Sequence, residues 1–319
     1  MGAARMYRKR LVLLLTLVAI AALAYLLTGV KGSYEFAVIY RGKKLAALVL
    51  IATAQGVAAV MFQTLTDNRI LTPAIIGFDA LYVLILSLAV LSLGAPAYQQ
   101  LDTGLMMVVN ATILCGAAVL LFGVLLRKGQ GDLMQMLLTG VVLAVMLRSI
   151  TGLVQRVIDP SAYAVVQAAS FARFSRAETD LLGVAAALCL TALVFAWRMR
   201  HRLDVLALGP IAATSLGEPP LRGQRQALLL IAVLVSVSTA LVGPVAFFGL
   251  LVSALTYLVL PTHRHAILLP GAGLIASLVL VGGQWAMERV FAFTTPLSVV
   301  VEFVGGLVFL FLLLKGLQR

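Results

Sequence analysis

The chain has 319 residues, of which 62% are hydrophobic and only 11% charged, with a formal net charge of +12 and a mean hydropathy of +1.08. A soluble domain carries about 25% charged residues, so water is not the main solvent of this protein. The basic residues sit at the ends of apolar runs rather than on one face interleaved with aromatics, which excludes nucleic acid as the partner such a charge would otherwise imply.

An apolar helix needs about 20 residues to cross the hydrocarbon core, and the apolar runs read as ten spans. The first, Leu11 to Gly29, follows Arg8, Lys9 and Arg10 as a signal peptide would. It is long enough to span and no small-residue cleavage site follows, so it is kept as a span. The others are Leu45 to Leu65, Pro73 to Leu93, Leu105 to Leu126, Leu133 to Leu153, Leu181 to Trp197, Ala227 to Val242, Phe247 to Leu260, Ile267 to Met287 and Pro296 to Leu314. The expected fold is an all-α membrane protein with about ten transmembrane helices in one transmembrane domain over 1–319. Asp102 and Asp132 stand where N-caps belong, and Thr295-Pro296 offers a cap followed by proline at the first helical position.

Placing the N-terminus in the cytoplasm puts Arg5, Arg8, Lys9, Arg10, Arg69, Arg127, Lys128, Arg198, Arg200, Arg202, Arg222, Arg225, Arg264, Lys315 and Arg319 inside. The outside receives about half as many, and an even number of spans returns the C-terminus to the cytoplasm. The eighth run is short and follows Gly243-Pro244, which predicts a broken or half-length helix. Irregular backbone at membrane depth is tolerated where it is buried in protein or lines a cavity, so this break marks either a pathway or a simple proline kink.

Cys115 and Cys189 lie in apolar runs without a second thiol or histidine at ligand spacing, so both read as packing residues. There is no Walker A pattern, zincin motif, nucleophile elbow or dinucleotide fingerprint, and no catalytic role is expected. His263-Arg264-His265 is read as a solvated basic loop in preference to a metal site. Asp79, Arg148 and Glu302 fall inside spans, where charge is costly and usually functional. Asp79 or Glu302 would serve as a proton or cation carrier in a secondary transporter; alternatively the three form a buried ion pair or border a polar cleft.

The longest cytoplasmic connection, Arg198 to Gln226, has more structure than a linker needs. Asp204 is placed to cap a short turn over Val205 to Leu208, which Gly209 ends. Pro210 opens a second short helix through Leu216, and Gly217 with Pro219-Pro220 stops it. Its apolar surface, Leu206, Leu208, Ile211 and Leu216 beside Ala212, Ala213 and Ser215, would either dock on a soluble partner or lie in the lipid interface.

Several ordered stretches from the second span onward resemble the permease subunits of iron-siderophore ABC importers, the FecCD-type family that includes the vitamin B12 importer. They are Gln63 through Gly77 with Asn68 and Pro73; Leu206-Ala207-Leu208-Gly209 followed by Ala212 and Ser215-Leu216-Gly217; Gly243-Pro244-Val245-Ala246-Phe247-Phe248-Gly249-Leu250; and Gly305-Gly306 with Phe309 to Leu314. Departures are Arg69 after the asparagine, Pro210 in place of an acidic residue, and Ser253-Ala254 where many members carry Pro-His. They resemble the divergent partner of a two-gene pair for ferric catecholate siderophores.

The resemblance implies a type II ABC importer permease fold and a transport subunit, not an enzyme, in a bacterial cytoplasmic (inner) membrane. It implies a heterodimer with a second, related permease, two ATPase subunits that hold ATP and Mg, and a periplasmic or lipid-anchored binding protein. This chain itself would bind no cofactor and no metal. The implied coupling residues are Leu206, Leu208, Gly209, Ile211, Ala212, Ala213, Ser215, Leu216, Gly217 and Glu218, with bulky charge at Ala212 or Ala213 expected to uncouple ATP hydrolysis from uptake without unfolding the bundle. The implied path runs by Gln63, Asn68, Gly77, Gly243, Pro244, Phe247, Phe248 and Gly249. Arg41, Lys43, Lys44 and Arg289 would meet acidic residues of the binding protein. The expected function is ATP-driven import of a ferric siderophore; haem or cobalamin would need only a different binding protein. An ion-coupled carrier using Asp79 and Glu302, and a non-transporting scaffold, are the competing readings.

Overall fold

The computed structural model describes residues 2–29, 34–128, 133–172, 182–291 and 297–314. Asp132, Thr295 and Pro296, read above as helix starts, lie outside the described residues. All regular structure among the described residues is helical. It runs α1 (Gly2–Leu27), α2 (Tyr34–Thr66), a 3-10 turn (Pro73–Ile76), α3 (Phe78–Leu93), α4 (Ala95–Gln100), α5 (Thr103–Lys128), α6 (Leu133–Val157) and α7 (Pro160–Ser170). It continues with α8 (Leu182–Arg198), α9 (Arg200–Leu206), α10 (Pro210–Ser215), α11 (Pro220–Val242), α12 (Phe248–Val259), α13 (His265–Arg289) and α14 (Leu297–Leu314).

Helices α1, α2, α6, α11 and α13 are each long and apolar enough to cross a bilayer, and α8 joins α9 through a 58° bend. Shorter apolar stretches in α3, α5, α12 and α14 complete the ten expected spans. Helices α4 and α7 were not expected. Their signals are short: Pro96 at the second residue of α4, and Asp159-Pro160 at the start of α7. The Asp102 cap is present, its Oδ2 accepting the Leu105 N–H at 2.8 Å.

The interior is built around α2, on which Ala47, Leu48, Ile51, Ala54, Ala58 and Phe62 are buried. Lipid tails are as apolar as leucine, so helices in a bilayer associate through close packing and polar contacts. The crossing of α2 and α13 uses that rule: a Cβ on Gly56 would lie 2.8 Å from the Ala272 carbonyl oxygen, and one on Gly273 would lie 2.9 Å from Cγ2 of Thr53. On the α11 side, Gln55 Nε2 donates to Ser238 Oγ at 2.8 Å. Helices α1, α6 and α14 show apolar outer faces, with Leu13, Ile20, Val142, Leu153, Phe303 and Leu307 exposed. Such faces belong against lipid or another membrane subunit. Cys189 is buried, Cys115 is half-buried, and both are free.

The break before α12 is real. Gly243 ends α11 with φ of 99°, a conformation that favours glycine. The chain then runs through Pro244 and Val245 without helix, and α12 begins only at Phe248, leaving 12 residues. A Cβ on Gly243 would sit 3.2 Å from the Ala172 Cα, just beyond α7. The irregular backbone is therefore packed against protein, as membrane depth requires. The other end of α12 is held by the N-terminal segment: the Tyr7 hydroxyl donates to the Pro261 carbonyl and Arg10 Nη1 to that of Val259, both at 2.6 Å.

Candidate functional site

Helices α9 and α10 form a rigid projection at one end of the bundle. Arg202 donates through Nε and Nη2 to Glu218 Oε1 at 2.8 and 2.6 Å, and through Nη1 to Gln226 Oε1 at 2.6 Å, tying both sides of the segment to the start of α11. Gly209, with φ of 87°, turns the chain into α10, where Pro210 takes the first helical position. Gly217, with φ of 82°, closes α10: its N–H bonds to Thr214 and that of Glu218 to Ala213, which is a Schellman ending.

The ten residues expected to couple to an ATPase divide by direction. Ala213 is fully buried and Leu206 nearly so, making the base, whereas Leu208 is 61%, Ile211 85% and Leu216 63% exposed. Gly209 and Gly217 supply the turns, Ala212 is half-buried beside the exposed Ser215, and Glu218 is engaged by Arg202. The expectation that charge at Ala213 uncouples without unfolding needs correction, because a bulky charge there would displace the packing beneath the projection. Ile211 is the position that separates docking from folding.

Two further readings are corrected here. Asp204 does not cap its own turn; it lies within α9, and its Oδ1 accepts the backbone N–H of His265 and the ring Nδ1, each at 2.7 Å. A carboxylate from α9 thus caps the N-terminus of α13, where the preceding Arg264 supplies no side-chain cap. His265 is not part of a solvated loop. It is 1% exposed, and its Nε2 lies 2.7 Å from Thr64 Oγ1 on α2. The sequence showed three basic residues in a row; which of them turned inward depended on a partner 61 positions away.

The expected path residues separate between two cavities at opposite ends. Gln63 and Asn68 line one of about 550 Å³ at the α9 end, together with Arg69, Tyr257 and His265. Gln63 Nε2 donates to the Arg69 carbonyl at 2.6 Å and to Ser253 Oγ at 2.8 Å, so Ser253 helps to hold this residue. Asn68 accepts the Ile70 N–H at 2.9 Å in a tight turn that follows Asp67, whose φ is 47°. Gly243 lines the second cavity, of about 720 Å³, with Tyr82, Tyr98, Asn110, Phe171 and Val242. Gly77 and Gly249 are close-approach positions, against Ala144 and Ala59 respectively, and Phe248 is fully buried. Phe247 is partly exposed and packs on Gly305 and Phe309 of α14. Asn110, Tyr257 and Gln155 were missed because single polar residues in apolar runs carry no spacing signal.

Asp79 and Arg148 line a third cavity, of about 320 Å³, with Thr151, Gln155, Gln167 and Ser170. The charges acting on Asp79 are those of Glu302 and Arg148. Among the described residues no salt bridge joins them; Asp79 Oδ2 is buried without a hydrogen-bond partner, and Arg148 is exposed. A polar cleft describes this arrangement better than a buried ion pair.

The four cations expected to dock a binding protein have different surroundings. Arg41 Nη1 donates to the carbonyls of Thr28 at 2.7 Å and Tyr25 at 3.1 Å, and Arg289 Nη2 also donates to that of Thr28. Both guanidinium groups cap the C-terminus of α1. Lys44 Nζ stands 4.5 Å above the Tyr40 ring, and Lys43 is exposed. Among the described residues no group of His, Cys, Asp and Glu is placed to hold a metal ion.

A ten-span helical bundle with cavities opening at opposite ends and a pinned apolar projection defines a membrane transport subunit. Residues 11–315 match the FecCD transport family, and the chain belongs to it. It is 39% identical over 285 residues to the petrobactin import system permease protein YclO of Bacillus subtilis, covering 89% of this chain and 90% of that one. It is 30% identical to the petrobactin import system permease protein FatC of Bacillus anthracis, covering 84% and 76%, and 28% identical to the ferric enterobactin transport system permease protein FepD of Escherichia coli, covering 83% and 77%. A metal-chelate-type ABC transporter solved in an inward-facing conformation superposes with a TM-score of 0.83 at 19% identity, over 97% of this chain and 99% of that one. The fold is accordingly that of an ABC importer permease. The chain is a multi-pass permease, and the ion-coupled alternative finds no support among these relatives.

Proposed function

We propose that this chain is one of two permease subunits of an ATP-driven importer that carries a ferric siderophore, of the petrobactin class, across a bacterial cytoplasmic membrane. The exposed apolar projection of Leu208, Ile211 and Leu216 on a pinned base carries the reading. Such a patch costs solubility unless a partner covers it, and its rigid mounting suits transmission of force. The second, related permease would cover the α6 and α14 faces. ATP and Mg would be held by two partner ATPases below the projection. Both termini then lie in the cytoplasm, on the side where Arg198, Arg200, Arg202, Arg222 and Arg225 collect. On the opposite side, Lys43 and Lys44 are the cations best placed to meet a binding protein, since Arg41 and Arg289 already serve α1.

The test is co-expression of the tagged chain with its candidate second permease, ATPase and binding protein, followed by copurification and uptake of iron-labelled petrobactin into liposomes. Recovery of the assembly with ATP-dependent uptake that excess haem and cobalamin leave unchanged is the expected result. A chain that purifies alone and moves solute on an ion gradient would overturn the proposal.

A further inference from the structure

We propose that His265 is a positioning residue that carries motion of the α9–α10 projection into the membrane path, by bonding Asp204 on one side and Thr64 on the other. The inference rests on the importer reading and adds the physical link between its docking end and its path.

The bonds form an unbroken chain through three helices. Asp204 lies on α9, just ahead of the exposed Ile211, and an ionised carboxylate only accepts hydrogen bonds. Its two donors are therefore the His265 N–H and Nδ1–H, both at 2.7 Å. The remaining ring nitrogen meets Thr64 Oγ1 at 2.7 Å. At 1% exposure the imidazole is screened from water, while the Asp204 side chain is 30% exposed. Movement of α9 then either displaces the first turn of α13 and the last turns of α2 with it or costs the buried imidazole its partners.

Thr64 delivers this to the path. Its neighbour Gln63 holds the Arg69 carbonyl and Ser253, and the Arg69 guanidinium stands 4.6 Å above the ring of Tyr257 on α12. Thr64, Arg69, Tyr257 and His265 border the same 550 Å³ cavity. The Thr64 hydroxyl has one proton and two acceptors in reach, the Val60 carbonyl at 2.8 Å and Nε2. With Nδ1–H given to Asp204, Nε2 is the ring's acceptor, so the link to Thr64 holds when the hydroxyl turns its proton to the ring rather than to Val60.

The test uses the whole transporter in liposomes, with uptake of iron-labelled siderophore and ATP hydrolysis measured together and thermal unfolding as a control. Coupling between distant sites is commonly worth about 5- to 150-fold. D204A and T64V should each hydrolyse ATP near the wild-type rate while uptake per ATP falls about 10-fold. H265A should do the same, and adding D204A or T64V to it should cause no further loss, since all three break one linkage. D204N keeps an oxygen acceptor and should remain within about 2-fold of wild type. T64V, outside the docking surface and close in shape to the native residue, decides the matter if H265A does not assemble. Unchanged uptake per ATP in T64V, or losses that add in the double variants, would overturn the linkage. Failure of the wild-type chain to assemble or to move the chelate would instead overturn the importer reading.

Discussion

The two ends of the bundle are held by different kinds of bond. At the α9 end, beside the bonds of Tyr7, Arg10 and Gln63 to carbonyls, side chains bond to side chains of other segments: Arg202 to Glu218 and Gln226, His265 to Asp204 and Thr64, Gln63 to Ser253. At the opposite end, side chains bond mainly to backbone carbonyls, with Arg41 and Arg289 on the last turn of α1, while Trp285 Nε1 donates to Thr28 Oγ1. A bond between two side chains ties helices through the identity of both groups, so the first end transmits displacement. A cap on a carbonyl needs only a donor of sufficient reach, so the second end marks a boundary and leaves space for a large cavity.

The largest effect should come from Ile211→Asp. Central apolar anchors of an interface often cost at least 2 kcal/mol when lost, so ATPase copurification and uptake should fall by 10-fold or more, with the unfolding midpoint unchanged. A variant that still recruits the ATPase would break the comparison at its first term. Next comes Gly56→Val, which attacks the interior that both ends share. Its Cβ meets a backbone carbonyl at 2.8 Å, and overpacking of this kind costs about 1–3 kcal/mol, so thermal unfolding in detergent should shift downward whether or not partners are present.

Arg202→Ala should weaken uptake by a smaller factor, leaving Glu218 partly buried and unpaired. Removing Glu218 as well should recover part of the loss, because an unpaired charge is worse than no charge; a double variant poorer than the single one would contradict the clamp. The smallest effects sharpen the far end. Arg41→Ala should lower stability by about 1 kcal/mol through loss of a helix cap and leave the salt dependence of binding-protein stimulation as it was. Lys43→Ala should do the reverse, lowering stimulation about 2-fold at low salt and less at high salt. Exchange of these two outcomes would assign docking to Arg41 instead.

Legibility in the sequence followed the range of the interactions. Spans were readable because a bilayer imposes a length on each apolar run, and the α12 break was readable because Gly243-Pro244 disfavours helix locally. The turns at Gly209 and Gly217 were readable for the same reason. What escaped was decided by distant partners. Asp204 had an obvious local use as a cap and is taken instead by α13; His265 looked like its neighbours and is buried by Asp204 and Thr64. Arg41 and Lys43 are two residues apart with equal charge, yet one lies on the carbonyls of α1 and the other in solvent. Helix α7 was hidden because 11 residues are too few to register as a span.

Arg148 carries a consequence for the cell that makes this protein. It stands at the centre of the apolar segment Leu138–Val157, exposed in the cleft it shares with Asp79, and a guanidinium at that depth costs about 2.5–3.5 kcal/mol wherever the cleft opens on hydrocarbon. If the proposed second permease covers that opening, a chain without it would be a poor tenant of the bilayer and a recognisable target for membrane quality control. Pulse-chase turnover should show the lone chain decaying faster than the co-expressed one, and Arg148→Leu should slow that decay. For the proposed pair, the economical arrangement is production of the two permeases in matched amounts, so that neither is left over as an orphan.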